Sequence, residues 1–327
     1  MFMCQHFHEP LPPTIIGLVR VWGCCSLAYT NSTFSPCSFT HTFLKLPCTI
    51  MAADSLSTAI TKLRSLGQGT VHYDPDYAAG IGLITLNNPE RQNAFSGKMM
   101  VEFYEIVVKL EQQNPKDTVA IIVTGSPGKA FCAGLDLSFA QEHLRAPGMA
   151  AHVNHLMHDA LSRFARLPYI TVASMAGPAL GGGTELITAF DYVCIASTAF
   201  VRFVQTRMGI TSPWGGARRL VNSIGRKKAL WILGSAPKVD AAMAKELGLA
   251  DVIVNSTTTA RGADTYDACL KASTAFLRGF TFDDRTNERV TPGAVRGMKK
   301  LVIRADLDQD EAYEASVLAE LAGLSKI

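Results

Sequence analysis

Two short segments carry the residue types from which a main-chain binding site can be built. One is Ala130-Phe131-Cys132-Ala133-Gly134-Leu135-Asp136-Leu137, the other Gly177-Pro178-Ala179-Leu180-Gly181-Gly182-Gly183-Thr184-Glu185. Each follows a β-rich run and precedes a helical pattern. Glycine admits positive φ and lets a ligand approach the backbone closely. Amides that open a helix have no intrahelical acceptor and are free to bind an anionic oxygen. Two such amides from neighbouring turns would form an oxyanion hole, each donor typically stabilising a transition state by about 3 kcal/mol. A Gly-Gly-Gly run alone would be no more than a turn. Asp136 is placed to cap a helix opening at Leu137. Glu185 has two readings at this level, a carboxylate in the site or an N3 residue that satisfies its own helix terminus.

Other polar signals point elsewhere. His152, His155 and His158 recur at i, i+3, i+6 and fan over more than one helical face, with only Asp159 nearby, so no metal site is expected. Gly125-Ser126-Pro127-Gly128-Lys129 lacks the glycine spacing and the Ser/Thr of a phosphate loop. There is no GxSxG elbow and no CxxC pair. Cys132 has no partner base in its neighbourhood and is expected to pack.

Composition narrows the class. Hydrophobic residues make up 48% and charged residues 18%, as in a globular protein. The formal charge of +3 is too near balance for a nucleic-acid binder. Five of the eight cysteines (Cys4, Cys24, Cys25, Cys37, Cys48) lie before residue 51. Cys132, Cys194 and Cys269 are dispersed among apolar residues, the usage of free thiols in a reducing compartment. Residues 1–50 hold one acid, Glu9, and two firm bases, Arg20 and Lys45. Their apolar stretch over 15–29 is broken by Arg20 and too short to span a bilayer. This segment is expected to lie outside the fold, as a transit-like leader or as a piece upstream of a true start at Met51. Ser325-Lys326-Ile327 comes close to a peroxisomal address. The compartment read from these features is the cytosol, with the mitochondrion and a peroxisome-type organelle as alternatives.

The elements that must position the two glycine turns follow from patterning. Residues 71–77 and 81–87 read as a strand pair around Ala79-Gly80. Ser96 caps an amphipathic helix over 97–113, with Met100, Phe103, Ile106, Val107 and Leu110 on one face. Residues 118–123, 170–175 and 192–196 read as buried strands, the first two feeding the glycine turns. After Gly215 the pattern is helical except for a strand at 252–254, and it ends in helices over 292–304 and 307–324. The expected architecture is one α/β domain. Residues 51–255 form its core and 256–327 a helical section of the same domain.

The two segments resemble the paired signatures of the crotonase (enoyl-CoA hydratase/isomerase) superfamily, A-F-x-A-G-x-D-[LI] and G-x-A-L-G-G-G-x-E. The run from Leu86-Asn87-Asn88-Pro89-Glu90-Arg91-Gln92 to Asn93-Ala94-Phe95 is similar to the same family, as are Asp191 opening a strand, Met208-Gly209-Ile210, and Trp214-Gly215-Gly216-Ala217-Arg218-Arg219-Leu220. The resemblance spans about residues 70 to 325. It implies a spiral of ββα units, assembly into trimers or pairs of trimers, and thioester enolate chemistry in an oxyanion hole made by the amides of Leu135 and Gly182. Leu135 departs from the smaller residue common at its position and would narrow the acyl pocket. Glu185 matches one of the two glutamates that activate water in hydratases of the family. The second falls on Gln205 of Val204-Gln205, and an amide neither gives nor takes a proton near neutral pH.

Arg202-Phe203-Val204-Gln205 and the residues up to Gly216 resemble most the branch that decarboxylates ethylmalonyl-CoA. A short 2-alkylmalonyl-CoA substrate, with methylmalonyl-CoA second, is what this implies, with Glu185 or a water it positions as proton source. The alternatives are an enoyl-CoA hydratase or isomerase using Glu185 alone, and a silent binding subunit. Gln92 and Ala94 match loop positions that contact coenzyme A, and the stretch Ala133, Gly134, Leu135, Asp136 and Leu137 matches the adenine and thioester lining. Gly181, Gln205 and Trp214 complete the expected substrate set. Arg91, Lys98, Lys299 and Lys300 are the cations available to CoA phosphates. No metal, separate cofactor, nucleic acid or membrane span is expected; coenzyme A is part of the substrate.

Overall fold

β-Branched runs and glycine turns alternate along this chain, and the fold stacks them in two layers. The computed structural model describes residues 51–113, 115–256 and 262–304. In chain order the elements are α1 (Met51–Leu63), β1 (Thr70–Ala78), β2 (Ile81–Asn87), α2 (Gly97–Gln113), β3 (Ala120–Gly125), α3 (Leu137–His143), α4 (Met149–Ala165), β4 (Ile170–Met175), β5 (Ala179–Leu180) and α5 (Gly182–Ile187). They continue with β6 (Tyr192–Ala196), β7 (Phe200–Arg202), α6 (Gly216–Ile224), α7 (Arg226–Ser235), β8 (Val239–Asp240), α8 (Ala241–Leu247), β9 (Val252–Val254), α9 (Gly262–Thr281) and α10 (Pro292–Val302). The expected leader at 1–50 and helix at 307–324 lie outside the described residues.

The larger sheet runs β1-β2-β3-β4-β6-β9, with β1 and β2 antiparallel and the remainder parallel. Every residue of β3 and β4 is buried, as expected of strands covered on both faces. One face packs on α2 and α4 through the aromatic chain Phe95, Phe103, Phe164 and Phe190, with centroids 5.8, 5.7 and 5.0 Å apart. The other face is covered by Leu270 and Leu277 of α9, which lie against Ile81, Ile122, Ile170 and Val172. The helical section after residue 256 thus closes the same core. No helix among the described residues is long and apolar enough to cross a membrane.

A second layer was not visible in the pattern. Its sheet is β5-β7-β8, extended by isolated parallel bridges from Cys132 to Ala179 and from Phe95 to Leu135. β2, β3, β4 and β6 are thus each followed by a short segment in this second layer, which is the repeating unit of the spiral. Pieces of two or three residues are too short to show an alternation. The expected strand at 118–123 also shifts to Ala120–Gly125, because Thr118 N–H closes a turn onto Pro115 and Thr124 and Gly125 pair with β2.

Candidate active site

Two glycine turns meet where the layers join. Gly134 has φ +90°, and the residues beside it bracket Leu135: Phe95 N–H donates to Gly134 O (2.7 Å) and Asp136 N–H to Phe95 O (2.9 Å). A parallel bridge so made turns the Leu135 N–H away from Phe95, and among the described residues it has no acceptor. Asp136 then caps α3, accepting from the amides of Ser138 (2.8 Å) and Phe139 (3.3 Å). Its carboxylate is occupied by that work. In the second turn Gly181 has φ +50°, Gly182 opens α5, and its N–H also lacks an acceptor among the described residues. The two peptides are adjacent, since a methyl group on Gly134 would fall 2.5 Å from Gly182 N. A methyl on Gly183 would fall 2.1 Å from Cys132 O, so only glycine allows this close approach.

The loop before α2 is fixed by one side chain. Asn93 donates from Nδ2 to Ser126 O (3.0 Å) and Ala130 O (2.9 Å), while its Oδ1 accepts from Asn88 N–H (3.0 Å) and Ser126 Oγ (2.9 Å). This staple ties the 88–95 loop to the Gly125–Lys129 turn, which is structural here. Gln92 O in turn accepts from Ala133 N–H.

Glu185 is only 1% exposed and is the fourth residue of α5. It does not reach back to its own helix terminus, which corrects the N3 reading. Its Oε2 accepts from Ser212 Oγ (2.6 Å), Trp214 N–H (2.8 Å) and Gly216 N–H (3.1 Å), and its Oε1 from Gln205 Nε2 (3.3 Å). Gln205 Nε2 also donates to Gly181 O (3.1 Å), which fixes the orientation of the amide. The Arg219 guanidinium donates to Glu185 O (3.2 Å), Trp214 O (2.9 Å) and Thr188 Oγ1 (3.2 Å). Burial lowers the Arg219 pKa to about 10, against the opposing pull of Glu185. Sequence reasoning missed Ser212 and gave Arg219 only as a motif letter, since both act on Glu185 from a loop far along the chain.

Leu135, Gly182, Glu185, Gln205 and Trp214 line a cavity of about 520 Å³. Every expected site residue borders it except Gly134, which lies just behind the wall. The interior is largely apolar, with Ala94, Leu135, Leu144, Val204, Ile210 and Trp214 in its walls. Leu144 and Ile210 were not anticipated. Glu90, Arg91 and Gln92 with Leu137 and Met208 form its exposed rim. Arg91 is the one cation among the lining residues.

The other expected phosphate partners are placed differently. Lys98 pairs with Glu102 at 3.6 Å. Lys299, expected at the surface, is 5% exposed and donates to Tyr169 O and to Asp191 Oδ2 (2.6 Å), so it is not available to a ligand. Burial lowers its pKa while Asp191 opposes the shift. The three histidines sit on α4, where His152 Nε2 lies 3.0 Å from Lys62 Nζ. Among the described residues no His, Cys, Asp or Glu group is placed to hold a metal ion. Burial pushes the Cys132 thiol up to about 12, where it is no nucleophile near neutral pH.

Comparison with known proteins places the chain in a family. The enoyl-CoA hydratase/isomerase family model matches residues 76–277. Ethylmalonyl-CoA decarboxylase of Mus musculus is 38% identical over 247 residues, covering 75% of this chain and 71% of its own. The Bos taurus protein of that name is 37% identical over 266 residues, 81% and 83% of the two chains. Among solved structures, enoyl-CoA hydratase from Bacillus anthracis superposes with TM-score 0.65 at 24% identity, covering 78% of this chain and 95% of that one. An enoyl-CoA hydratase from Polaromonas sp. JS666 does so with TM-score 0.62, also at 24%, covering 77% and 91%. With its two-layered spiral and its paired glycine turns, this chain belongs to the enoyl-CoA hydratase/isomerase family and has the crotonase fold.

Proposed function

We propose that this protein is a carboxy-lyase that releases CO2 from short 2-alkylmalonyl-CoA esters, ethylmalonyl-CoA first and methylmalonyl-CoA second. The observation that carries the reading is the pair of unengaged amides, Leu135 and Gly182, side by side in an apolar cavity whose one cation stands at the rim. The thioester oxygen takes both N–H groups. The carboxylate on the α-carbon lies against apolar side chains with no cationic partner to stabilise it there. When the bond to CO2 breaks, its electron pair passes into the thioester as an enolate, and the charge arrives on the oxygen held by two fixed donors. Water entering past Leu137 and Met208 then protonates the α-carbon. Its hydroxide combines with the CO2 as bicarbonate, which balances the step. The relatives named ethylmalonyl-CoA decarboxylase support the substrate class.

The reading needs no metal and no cofactor beyond the coenzyme A of the substrate, and it takes the working form to be a trimer or pair of trimers. Hydration or isomerisation is the second reading, favoured by the family and by Glu185 in the cavity wall, though that carboxylate already accepts four donors. Purified protein incubated with ethylmalonyl-CoA and with crotonyl-CoA separates these readings. CO2 release with little loss of enoyl absorbance is expected. Loss of enoyl absorbance alone would establish the second reading, and coenzyme A binding without turnover would leave a silent subunit.

A further inference from the structure

The side chain that family resemblance marks as a proton carrier holds a wall in place. All four hydrogen bonds to the Glu185 carboxylate come from the protein, three of them onto Oε2. What they fix above all is Trp214. Its N–H is on Glu185 Oε2, its carbonyl is on Arg219 Nη2, and Arg219 Nη2 also binds Glu185 O. The indole is 3% exposed and stands edge-on to Phe95, with centroids 6.3 Å apart at 85°. Its six-membered ring covers Gly182 so closely that a methyl there would lie 2.3 Å from Cζ3. The ring therefore forms the cavity wall beside the Gly182 amide, where the α-carbon of a thioester bound by its oxygen must come.

We infer that Trp214 is the residue that limits the α-substituent of the substrate to a short alkyl group, and that Glu185 and Arg219 are positioning residues that fix the backbone from which its ring projects. The inference rests on the decarboxylase reading for its series of substrates. With the backbone held at both N–H and C=O and the indole packed between Phe95 and Gly182, the wall cannot swing away to admit a longer chain. An apolar pocket of that kind discriminates by roughly 10- to 200-fold per methylene.

The test compares kcat/KM for ethylmalonyl-CoA and 2-butylmalonyl-CoA. In Trp214→Phe the butyl-to-ethyl ratio is expected to rise by about tenfold or more. Glu185→Ala, which releases the wall, should move the ratio in the same direction. Glu185→Gln keeps a carbonyl oxygen for the Trp214 and Gly216 amides and gives up only the weaker contact from Gln205 Nε2, so it should hold the wild-type ratio, with CO2 release within about tenfold of wild type. An unchanged ratio in Trp214→Phe overturns the inference. So does a loss of about 10²- to 10⁴-fold in Glu185→Gln, the pattern of a removed proton carrier. Should Glu185→Ala lack a wild-type melting transition, the other two variants decide. Wild-type protein that releases no CO2 from either ester overturns the decarboxylase reading and the inference with it, and differs from the other failures in that the wild type itself is silent.

Discussion

Gly134 serves the site by what it leaves out. At φ +90° it adopts a backbone conformation costly for any residue with a Cβ, and that Cβ would occupy the space in front of Gly182 N. Gly134→Ala is therefore expected to lower kcat for CO2 release by about 10²- to 10³-fold, the effect of losing one oxyanion donor. Steady-state rates with a melting curve check it, since a fall in melting temperature without a fall in kcat would place the glycine in the fold alone. This much was legible in the chain itself. Two glycine turns after buried strands announce exposed amides, and no side chain is needed to find them. The role of Glu185 was not legible, because its partners Gln205, Ser212, Trp214 and Gly216 lie on a later loop and only packing brings them together. A carboxylate in a motif shows its charge, and the occupation of its lone pairs appears only in three dimensions.

Among the elements, α10 depends on a buried cation. Lys299 spans from the helix to Tyr169 O before β4 and to Asp191 before β6, while Asp191 Oδ2 also accepts from Thr171 N–H (2.7 Å) and Oγ1 (3.0 Å). Three segments converge on that one oxygen and its ammonium partner. Removing the cation leaves a carboxylate and a carbonyl without their donor, so Lys299→Met is expected to destabilise the protein by about 3 kcal/mol, at the low end for a buried pair because Asp191 retains Thr171 and some solvent. Denaturant unfolding checks the value, and a loss under about 0.5 kcal/mol would mean the pair is only a surface contact. The Lys299-Lys300 doublet reads in sequence as surface charge. The helix period decides otherwise, turning the first lysine inward. The long strands were legible from their β-branched runs, and residues 81–87, 170–175 and 192–196 fold as expected. The second layer was hidden, because β5, β7 and β8 earn their strand character from neighbours rather than from their own pattern.

At the scale of the whole molecule, fold and chemistry are set by different residues. Solved structures at 24% identity share the two-layered spiral, which needs apolar runs of the right period and small residues at the turns. On the proposed reading, the reaction is set at the seam between the layers by a handful of positions: an amide on either side, an amide side chain at 205, and an indole over Gly182. A cavity without an interior cation is a poor resting place for a carboxylate and a suitable place to lose one. That contrast is a property of the assembled layers, and no single element carries it. The most direct test is a crystal structure with a 2-alkylmalonyl-CoA analogue that cannot lose CO2. The thioester oxygen should lie about 2.7–3.1 Å from both Leu135 N and Gly182 N. A thioester oxygen bound to neither nitrogen, with the acyl group elsewhere in the cavity, would contradict the account.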